Sequence, residues 1–197
     1  MSKDRPDRCP RRGPVAPDLA APGGPRRAGT ELADDRLRGL PPAIGRASRL
    51  VVLGSFPGEA SLRAQQYYAH PRNHFWPLLS AIWGLDLAGR PYRERLAELR
   101  ARGLGLWDVY ASCRREGSLD HAIEDAEAND LASLRRRAPG LVLVAHNGSE
   151  SARSAALLRA LGLATLRLPS SSPANARWSF DRKLAAWRAA FEQAGIA

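Results

Sequence analysis

Apolar residues along the chain fall into four short, almost continuous runs that predict β-strands. The runs span 49–54, 104–109, 141–145 and 165–168. In the first run, apolar residues occupy consecutive positions instead of alternating with polar ones. That pattern is typical of a strand that is buried on both faces, as in a parallel sheet covered by helices.

The segments between these runs predict helices. At 73–83, Phe75, Leu78, Leu79 and Ile82 recur at the spacing of one helix face. Further helices are predicted at 92–102, 130–137, 149–161 and 178–194, and residues 31–39 are compatible with a short one.

Strands that alternate with helices predict an α/β fold. We expect a three-layer α/β/α sandwich with a central four-stranded parallel sheet. The loops that begin at Gly54, Asp108, His146 and Pro169 would then all leave the sheet at its carboxyl edge, where such folds bind their ligands. The polar residues of these loops are therefore expected to lie close together.

The two ends of the chain differ in composition. The stretch up to about Gly29 is rich in Pro, Arg, Gly and Ala and has no aromatic residue. It has too little apolar surface to offset the entropy of ordering, so residues 1–39 are predicted to be a disordered extension and residues 40–197 a single domain.

The chain is strongly basic, with a formal net charge of +10 and a sequence pI of about 10.8. This charge favours an acidic partner such as nucleic acid. Lys3 and Lys183 are the only lysines, however, and an excess of Arg also arises from GC-rich coding. Charge alone leaves both interpretations open.

Several classes of protein are disfavoured by what the sequence lacks. Cys9 and Cys113 are too few and too far apart for a disulfide framework, a cysteine-rich zinc site or an iron–sulfur cluster. There is no phosphate-binding loop, dinucleotide fingerprint or nucleophile elbow. We therefore expect neither a metal nor an organic cofactor. We also expect neither a membrane span nor a signal peptide, which makes the cytoplasm the default location.

The first candidate for chemistry is the turn at 54–58, which directly follows the first strand. A Gly-rich turn exposes successive backbone amides, and those near Ser55 could hold a base edge or a developing negative charge. An ordinary connection between a strand and a loop would have the same composition.

The second candidate is the segment that contains Tyr67, Tyr68 and Asn73. An aromatic ring before a rigid proline turn can stack on a nucleobase, an interaction worth ~1–3 kcal/mol per base, although core packing is the alternative. Asn73 stands directly before a predicted helix, where Asn is a preferred N-cap. A capping Asn can also face a ligand at the mouth of the helix.

The third candidate is the Ser-rich loop after the last strand. Ser170, Ser171 and Ser172 could donate hydroxyl and amide hydrogen bonds to phosphates, although a flexible loop would also have this composition. Asn147 follows the third strand and is compatible with either a turn or a contact with a base.

Together these segments resemble the uracil-DNA glycosylase superfamily, from about Leu50 to Trp187. Residues 54–58 resemble the first motif of mismatch-specific and thymine-DNA glycosylases, whose pattern is Gly-Ile-Asn-Pro-Gly. Residues 68–76 resemble their next segment, and residues 169–172 resemble their DNA-gripping motif. Phe56 replaces the Asn that is catalytic in those relatives. This replacement, with the blocks at 115–120 and 169–176, resembles the hypoxanthine-DNA (deoxyinosine) glycosylase branch.

The resemblance implies a uracil-DNA glycosylase-like fold and a monofunctional enzyme that flips deaminated bases, above all hypoxanthine, out of DNA and hydrolyses their N-glycosidic bond. It implies that Asn73 is catalytic, that the base is bound by Ser55, Phe56, Tyr68 and Asn147, and that DNA is bound by Ser170, Ser171, Ser172, Pro173, Ala174 and Asn175.

The resemblance also implies that the partner is DNA with deaminated bases, met by a monomer in the bacterial nucleoid. A uracil or thymine mismatch glycosylase, a catalytically inactive damage-binding protein and a nucleosidase remain the alternatives.

Overall fold

The computed structural model describes residues 35–197, and seven strands and six α-helices lie in this part of the chain. The strands are β1 (Leu37–Arg38), β2 (Leu50–Gly54), β3 (Leu104–Asp108), β4 (Tyr110–Arg114), β5 (Glu124–Ala128), β6 (Leu143–Asn147) and β7 (Thr165–Leu168). The helices are α1 (Glu59–Ala64), α2 (Phe75–Trp83), α3 (Tyr92–Ala101), α4 (Leu134–Arg137), α5 (Ala155–Ala160) and α6 (Phe180–Ala194).

The central sheet is parallel and has four strands in the order β3-β2-β6-β7, as the sequence predicts. Strand β2 pairs with β3 on one side and β6 on the other, and every residue of β2 is buried. Because all four strands are parallel, their carboxyl ends meet at one edge of the sheet.

Side chains of the sheet alternate between two separate cores. Leu50 and Val52 belong to the core that contains Trp187 of α6, whereas Val51 and Leu53 belong to the core on the opposite face. Helices α2, α3 and α6 contribute to the first core, and α4 and α5 to the second. The predicted three-layer α/β/α architecture is therefore confirmed. The consecutive apolar residues of β2 arise because each of its faces is covered.

A second, antiparallel sheet in the order β1-β4-β5 was not predicted. All five residues of β5, Glu-Asp-Ala-Glu-Ala, are exposed. An exposed edge strand of this kind carries no alternation of apolar and polar residues, so the pattern offers no signal. The sheet is held by polar contacts, including a 2.7 Å hydrogen bond from Ser112 Oγ to Glu127 Oε2.

The short helix considered for 31–39 is wrong for the part that the structure describes. Leu37 and Arg38 instead form β1, which pairs with Cys113 and Ser112 of β4. Residues 1–34 lie outside the described residues, so the predicted disorder of the extension and its boundary at residue 40 stay predictions.

Some observed strands and helices begin or end at other residues than the apolar pattern predicts, because a turn forms there. The third strand of the parallel sheet is formed by Leu143–Asn147 instead of 141–145, because the amide of Leu141 closes a turn onto the carbonyl of Ala138 at 3.1 Å. His146 therefore lies within the strand, and the loop begins after Asn147. The predicted helix at 149–161 begins as a 3₁₀ turn, Ser151–Ser154, before it becomes α5.

The remaining predicted helices lie within a few residues of the observed α2, α3 and α6. Predicted helix 130–137 is divided between a 3₁₀ turn, Leu131–Ser133, and α4. The six-residue α1 was missed because it is too short to show a helical repeat. No helix within residues 35–197 is long and apolar enough to cross a membrane.

Candidate active site

A cavity of about 1040 Å³ opens at the carboxyl edge of the parallel sheet. Residues from the ends of all four parallel strands reach it, namely Gly54, Asp108, Asn147 and Leu168. The sequence-predicted site residues all line this cavity: Ser55, Phe56, Tyr68, Asn73, Asn147, Ser170, Ser171, Ser172, Pro173, Ala174 and Asn175. The three sequence blocks therefore meet at one place, as the parallel topology predicts.

The carboxyl group of Asp108 lies directly beneath the backbone of Gly54. A Cβ atom at position 54 would collide with Asp108 Oδ1 and would also approach the hydroxyl of Tyr68. Position 54 is regular strand, so glycine is favoured here by the lack of space for a Cβ atom and not by its backbone angles. The close approach brings a carboxyl group, a phenol and the turn at 54–58 to the bottom of one cavity.

Asp108 is buried, with 4% of its surface exposed, and its Oδ2 has no hydrogen-bond partner within residues 35–197. The pKa of this carboxyl is raised to about 7, chiefly by burial; the guanidinium of Arg115 opposes the rise and the nearby Asp120 adds to it. The site therefore holds an acid that can be protonated at neutral pH. Asp108 lies outside the sequence motifs, and its one signal in the sequence is a charged residue at the end of a buried strand.

Tyr68 has a left-handed backbone conformation, with φ of 54°, which is uncommon for a residue other than glycine. Its ring is stacked on Phe75, with the ring centroids 3.9 Å apart and an interplanar angle of 16°. The hydroxyl is buried and makes no hydrogen bond of good geometry in the described part of the chain. Burial and Asp108 raise its pKa, whereas the nearby side chain of Asn147 lowers it. Tyr68 is thus packed against the core on one side while it lines the cavity.

Asn73 joins α2 to the Ser-rich loop. Its Oδ1 accepts a 2.9 Å hydrogen bond from the amide of Phe75, the first residue of α2. The capping interaction expected from the sequence is therefore present, although His74 and not Asn73 is the N-cap residue. The amide of His74 donates to the carbonyl of Ser171 at 3.0 Å. The Nδ2 group of Asn73 makes no hydrogen bond to any described residue and remains available to a ligand.

Asn147 and Ser171 form a reciprocal pair of hydrogen bonds. Asn147 Nδ2 donates to Ser171 Oγ at 2.9 Å, and the Ser171 amide donates to Asn147 Oδ1 at 2.8 Å. Ser171 is fully buried. The pair fixes the loop after β7 to the end of β6, so Ser171 positions the loop in this arrangement instead of presenting a free hydroxyl. The side chain of Asn147 also interacts with the hydroxyl of Tyr68 and lowers the pKa of that phenol.

The rest of the Ser-rich loop is held by its own short hydrogen bonds. The amide of Ser172 donates to Ser170 Oγ, and the amide of Ala174 donates to Ser172 Oγ, both at 3.2 Å. Asn175 Nδ2 donates to the carbonyl of Ser170 at 3.1 Å. Pro173 and Ala174 are exposed at the rim of the cavity. These contacts give the loop a defined conformation at the rim.

The opposite wall is built around Phe56, which is 6% exposed. The guanidinium of Arg115 lies 5.1 Å from the centre of the Phe56 ring and donates to the carbonyl of Pro57 at 2.5 Å. Ser55 Oγ donates to Asp120 Oδ1, also at 2.5 Å. The segment after β4 thus supports the turn at 54–58, a contact that the sequence pattern did not reveal.

A smaller cavity of about 540 Å³ adjoins the first, and both are lined by Asn73, Pro173, Asn175 and Trp178. It contains Lys183 of α6, which is 1% exposed and lies 3.5 Å from both His74 Nδ1 and the carbonyl of Ser172. Burial lowers the pKa of this ammonium group. The sequence motifs contain no lysine, so only the fold shows that one lies against the Ser-rich loop.

Comparisons with known proteins agree with this geometry. A family model for the uracil DNA glycosylase superfamily matches residues 41–193. A protein from Methanosarcina barkeri named hypoxanthine DNA glycosylase is 44% identical over 156 residues, which cover 79% of this chain and 98% of that protein. A protein of the same name from Methanosarcina acetivorans is 40% identical over 154 residues, covering 78% and 97%.

A solved structure gives the same result for the fold. It is a solution NMR structure from Methanosarcina acetivorans, described as that of a candidate uracil DNA glycosylase. It superposes with a TM-score of 0.74 at 39% identity and covers 81% of this chain and 99% of that one.

Proposed function

The chain belongs to the uracil DNA glycosylase superfamily, and from this membership we propose that it is a monofunctional DNA glycosylase that releases hypoxanthine from deoxyinosine in DNA. The names of the two relatives support this substrate. The observation that carries the proposal is the meeting of Tyr68, Asn73 and the Ser-rich loop in one cavity at the carboxyl edge of the sheet. An aromatic ring, a free amide group and a backbone-gripping loop are the parts that base flipping needs.

The cavity receives one extruded nucleotide. Its volume of about 1040 Å³ is ample for a nucleotide, since small-molecule sites typically measure ~300–1,000 Å³. Tyr68 and Phe56 enclose the base, and the side chain of Asn147 contacts its edge. Extrusion costs about a few kcal/mol of lost stacking and pairing, which is lowest for a mismatched base. A deoxyinosine mispair therefore enters more readily than an intact pair.

Asn73 binds the departing base or orients the attacking water through its free Nδ2 group. A carboxamide is a poor base, so the rate enhancement arises from positioning and from stabilising charge, helped by the backbone amides near Ser55. Lys183 is buried in the neighbouring cavity and does not line the base-binding one. Schiff-base formation at the sugar is therefore not part of the reaction, and the enzyme is monofunctional.

The DNA strand lies along the rim. Ser170, Ser172, Pro173, Ala174 and Asn175 contact its backbone, while the buried Ser171 keeps the loop in shape. The net charge of +10 attracts the duplex over a longer range. All the residues assigned to the reaction line one cavity of a single chain, so the protein acts as a monomer. Because its substrate is DNA, it acts at the nucleoid.

The test is an excision assay on duplexes that carry a single deoxyinosine, uracil or thymine mismatch. Free base is measured by mass spectrometry and abasic sites by alkaline strand cleavage. We expect release of hypoxanthine to exceed release of uracil or thymine. Binding of lesion DNA without release of any base would identify a damage-binding protein instead. Cleavage of free inosine at the same rate would identify a nucleosidase.

A uracil glycosylase is the second candidate, because the solved structure with a TM-score of 0.74 is described as a candidate uracil DNA glycosylase. Faster release of uracil than of hypoxanthine from otherwise identical duplexes would favour it. Phe56 argues against it, since an apolar ring offers no hydrogen bond to a pyrimidine edge.

A further inference from the structure

We propose that Asp108 is the general acid of the reaction and donates a proton to N7 of the extruded hypoxanthine as its bond to the sugar breaks. This inference rests on the proposed function, because it assumes a purine in the cavity. It concerns a residue outside the sequence motifs and adds a chemical step that positioning by Asn73 does not supply.

Asp108 lines the cavity and has one buried carboxyl oxygen without a hydrogen-bond partner in the described part of the chain. The residue is 4% exposed at the end of β3, its Oδ1 lies against Gly54, and the oxygen without a partner is Oδ2. A buried polar group without a hydrogen-bond partner destabilises the protein. A bound base removes that destabilisation if one of its acceptors meets the acid O–H, because a protonated carboxyl can donate one hydrogen bond.

Charged and titratable groups from several elements face Asp108. Arg115 and Asp120 follow β4, and the phenols of Tyr67, Tyr68 and Tyr92 also interact electrostatically with Asp108. Burial and Asp120 together outweigh Arg115 and bring the pKa of Asp108 to about 7. A general acid is most effective when its pKa lies near the working pH.

The wall of the cavity that contains Phe56 offers no proton to the departing base, so another group must supply one. Phe56 is apolar, so it cannot stabilise the negative charge that collects on the departing base. Purines carry a lone pair at N7, and a proton there cancels that charge. Pyrimidines have no such atom, so the step favours a purine substrate and gives the cavity a chemical preference as well as a steric one.

The step is balanced without a further reactant. The Asp108 proton moves to N7, the electron pair of the C1′–N9 bond moves to the base, and neutral hypoxanthine leaves. Water then adds its oxygen to C1′ of the sugar cation, and the proton it loses returns to the Asp108 carboxylate. The products are free hypoxanthine and an abasic site, with the enzyme restored.

The first experiment measures single-turnover excision of deoxyinosine between pH 5.5 and pH 9. We expect the wild-type rate to be constant below about pH 7 and to fall about tenfold per pH unit above it, because the acid form is lost. Asp108→Asn should lower the rate at pH 6 by about 10²–10⁴-fold and abolish the decline above pH 7. A wild-type rate that rises through pH 7 would overturn the proposal.

Asp120→Asn is the matched control, since it removes a neighbouring carboxyl that lines the same cavity and acts on Asp108. It should retain the decline at high pH but displace it to lower pH, because Asp120 raises the pKa of Asp108. A decline that disappears with Asp120 and persists in Asp108→Asn would transfer the role to Asp120 and refute the assignment to Asp108.

Two further measurements separate proton donation from a structural role. Asp108→Asn should bind a duplex with 2′-fluoro-deoxyinosine, which resists cleavage, within about threefold of the wild type, so that the loss lies in the rate and not in binding. On 7-deaza-deoxyinosine, where C–H replaces N7, the wild type should be no faster than Asp108→Asn. A wild-type advantage on this substrate as large as on deoxyinosine would exclude N7 as the acceptor.

The outcomes also distinguish the two proposals. Wild-type protein that releases no hypoxanthine at any pH refutes the proposed function and this inference with it. Release by the wild type together with undiminished release by Asp108→Asn refutes the inference alone.

Discussion

Two regions of the same cavity differ in how their polar atoms are paired. In the first region, called the clamp, Asn147 and Ser171 pair their polar groups with each other through two reciprocal hydrogen bonds of 2.9 and 2.8 Å. The floor, formed by Asp108 and Tyr68, holds a carboxyl oxygen and a hydroxyl that are buried and make no hydrogen bond of good geometry in the described structure. Both regions lie at the carboxyl edge of the parallel sheet.

This difference indicates that the clamp supports the structure of the site, whereas the polar groups of the floor are available to a ligand. A paired polar network fixes the shape of a loop and adds stability. Unpaired buried groups reduce stability, and they are tolerated in native proteins mainly where function requires them. We therefore expect changes in the clamp to act mainly on folding and changes around the floor to act mainly on chemistry.

Apart from Asp108, the largest effect on excision is expected at Asn73, which lines the same cavity. Asn73→Ala should reduce single-turnover excision by about 10²–10³-fold, as when one preorganised donor is removed from an active site. Binding to lesion DNA should persist. Excision at the wild-type rate would exclude a role for the side chain in catalysis.

Asn73→Asp is the control for stability, because its carboxylate can still accept from the amide of Phe75 while the NH₂ group is lost. It should melt closer to the wild type than Asn73→Ala does, since loss of a capping acceptor costs about 0.5–2 kcal/mol. Equal melting of the two variants would show that the contact with Phe75 contributes little.

The next largest effect is on stability, and it arises from the buried carboxyl group of Asp108 in the floor. The pKa of Asp108 rises from 3.8 to about 7 on folding, so the folded state holds a proton that the unfolded state releases between pH 4 and pH 7. Stability should therefore decrease as pH rises through this window, by up to about 4 kcal/mol. Asp108→Asn should remove that decrease and be the more stable protein at pH 8. Urea unfolding at pH 5 and pH 8 measures both, and parallel pH dependence in the two proteins would contradict the assignment.

A smaller effect is expected from the clamp. Asn147→Ala leaves the buried amide and hydroxyl of Ser171 without partners, which should lower the free energy of unfolding by about 1–3 kcal/mol at every pH. Asn175→Ala is the comparison, because it removes a single bond to the carbonyl of Ser170 at the rim. Equal destabilisation by the two changes in urea titrations would show that the clamp contributes no more to the free energy of unfolding than the single bond at the rim.

The smallest effect is expected for Ser171→Ala. This change removes the hydroxyl but keeps the amide that donates to Asn147. The loss should be about 1 kcal/mol, with affinity for undamaged DNA nearly unchanged because the hydroxyl is buried. Fluorescence anisotropy and thermal melting check the two parts. A large loss of affinity with normal stability would assign Ser171 to direct contact with phosphate.

Much of the fold could be predicted from the apolar pattern because the parallel sheet is buried on both faces. Consecutive apolar residues in β2 have no other simple explanation, and they led to the correct layer order. The strands β4 and β5 could not be found in the same way, since β5 is fully exposed and its pairing depends on backbone hydrogen bonds that leave no trace in residue type.

The sequence by itself determined which residues reach the cavity. Parallel strands end at a common edge, so Gly54, Asn147 and the Ser-rich loop had to meet there whatever the details. Residue types cannot show which polar atoms find partners. Ser171 is hydrogen-bonded to Asn147, whereas Asp108 Oδ2 has no partner in the described part of the chain. This difference depends on ångström-scale distances between segments that are remote in the chain. Only the tertiary structure sets those distances, because burial and proximity, not composition, determine whether a carboxyl group stays charged.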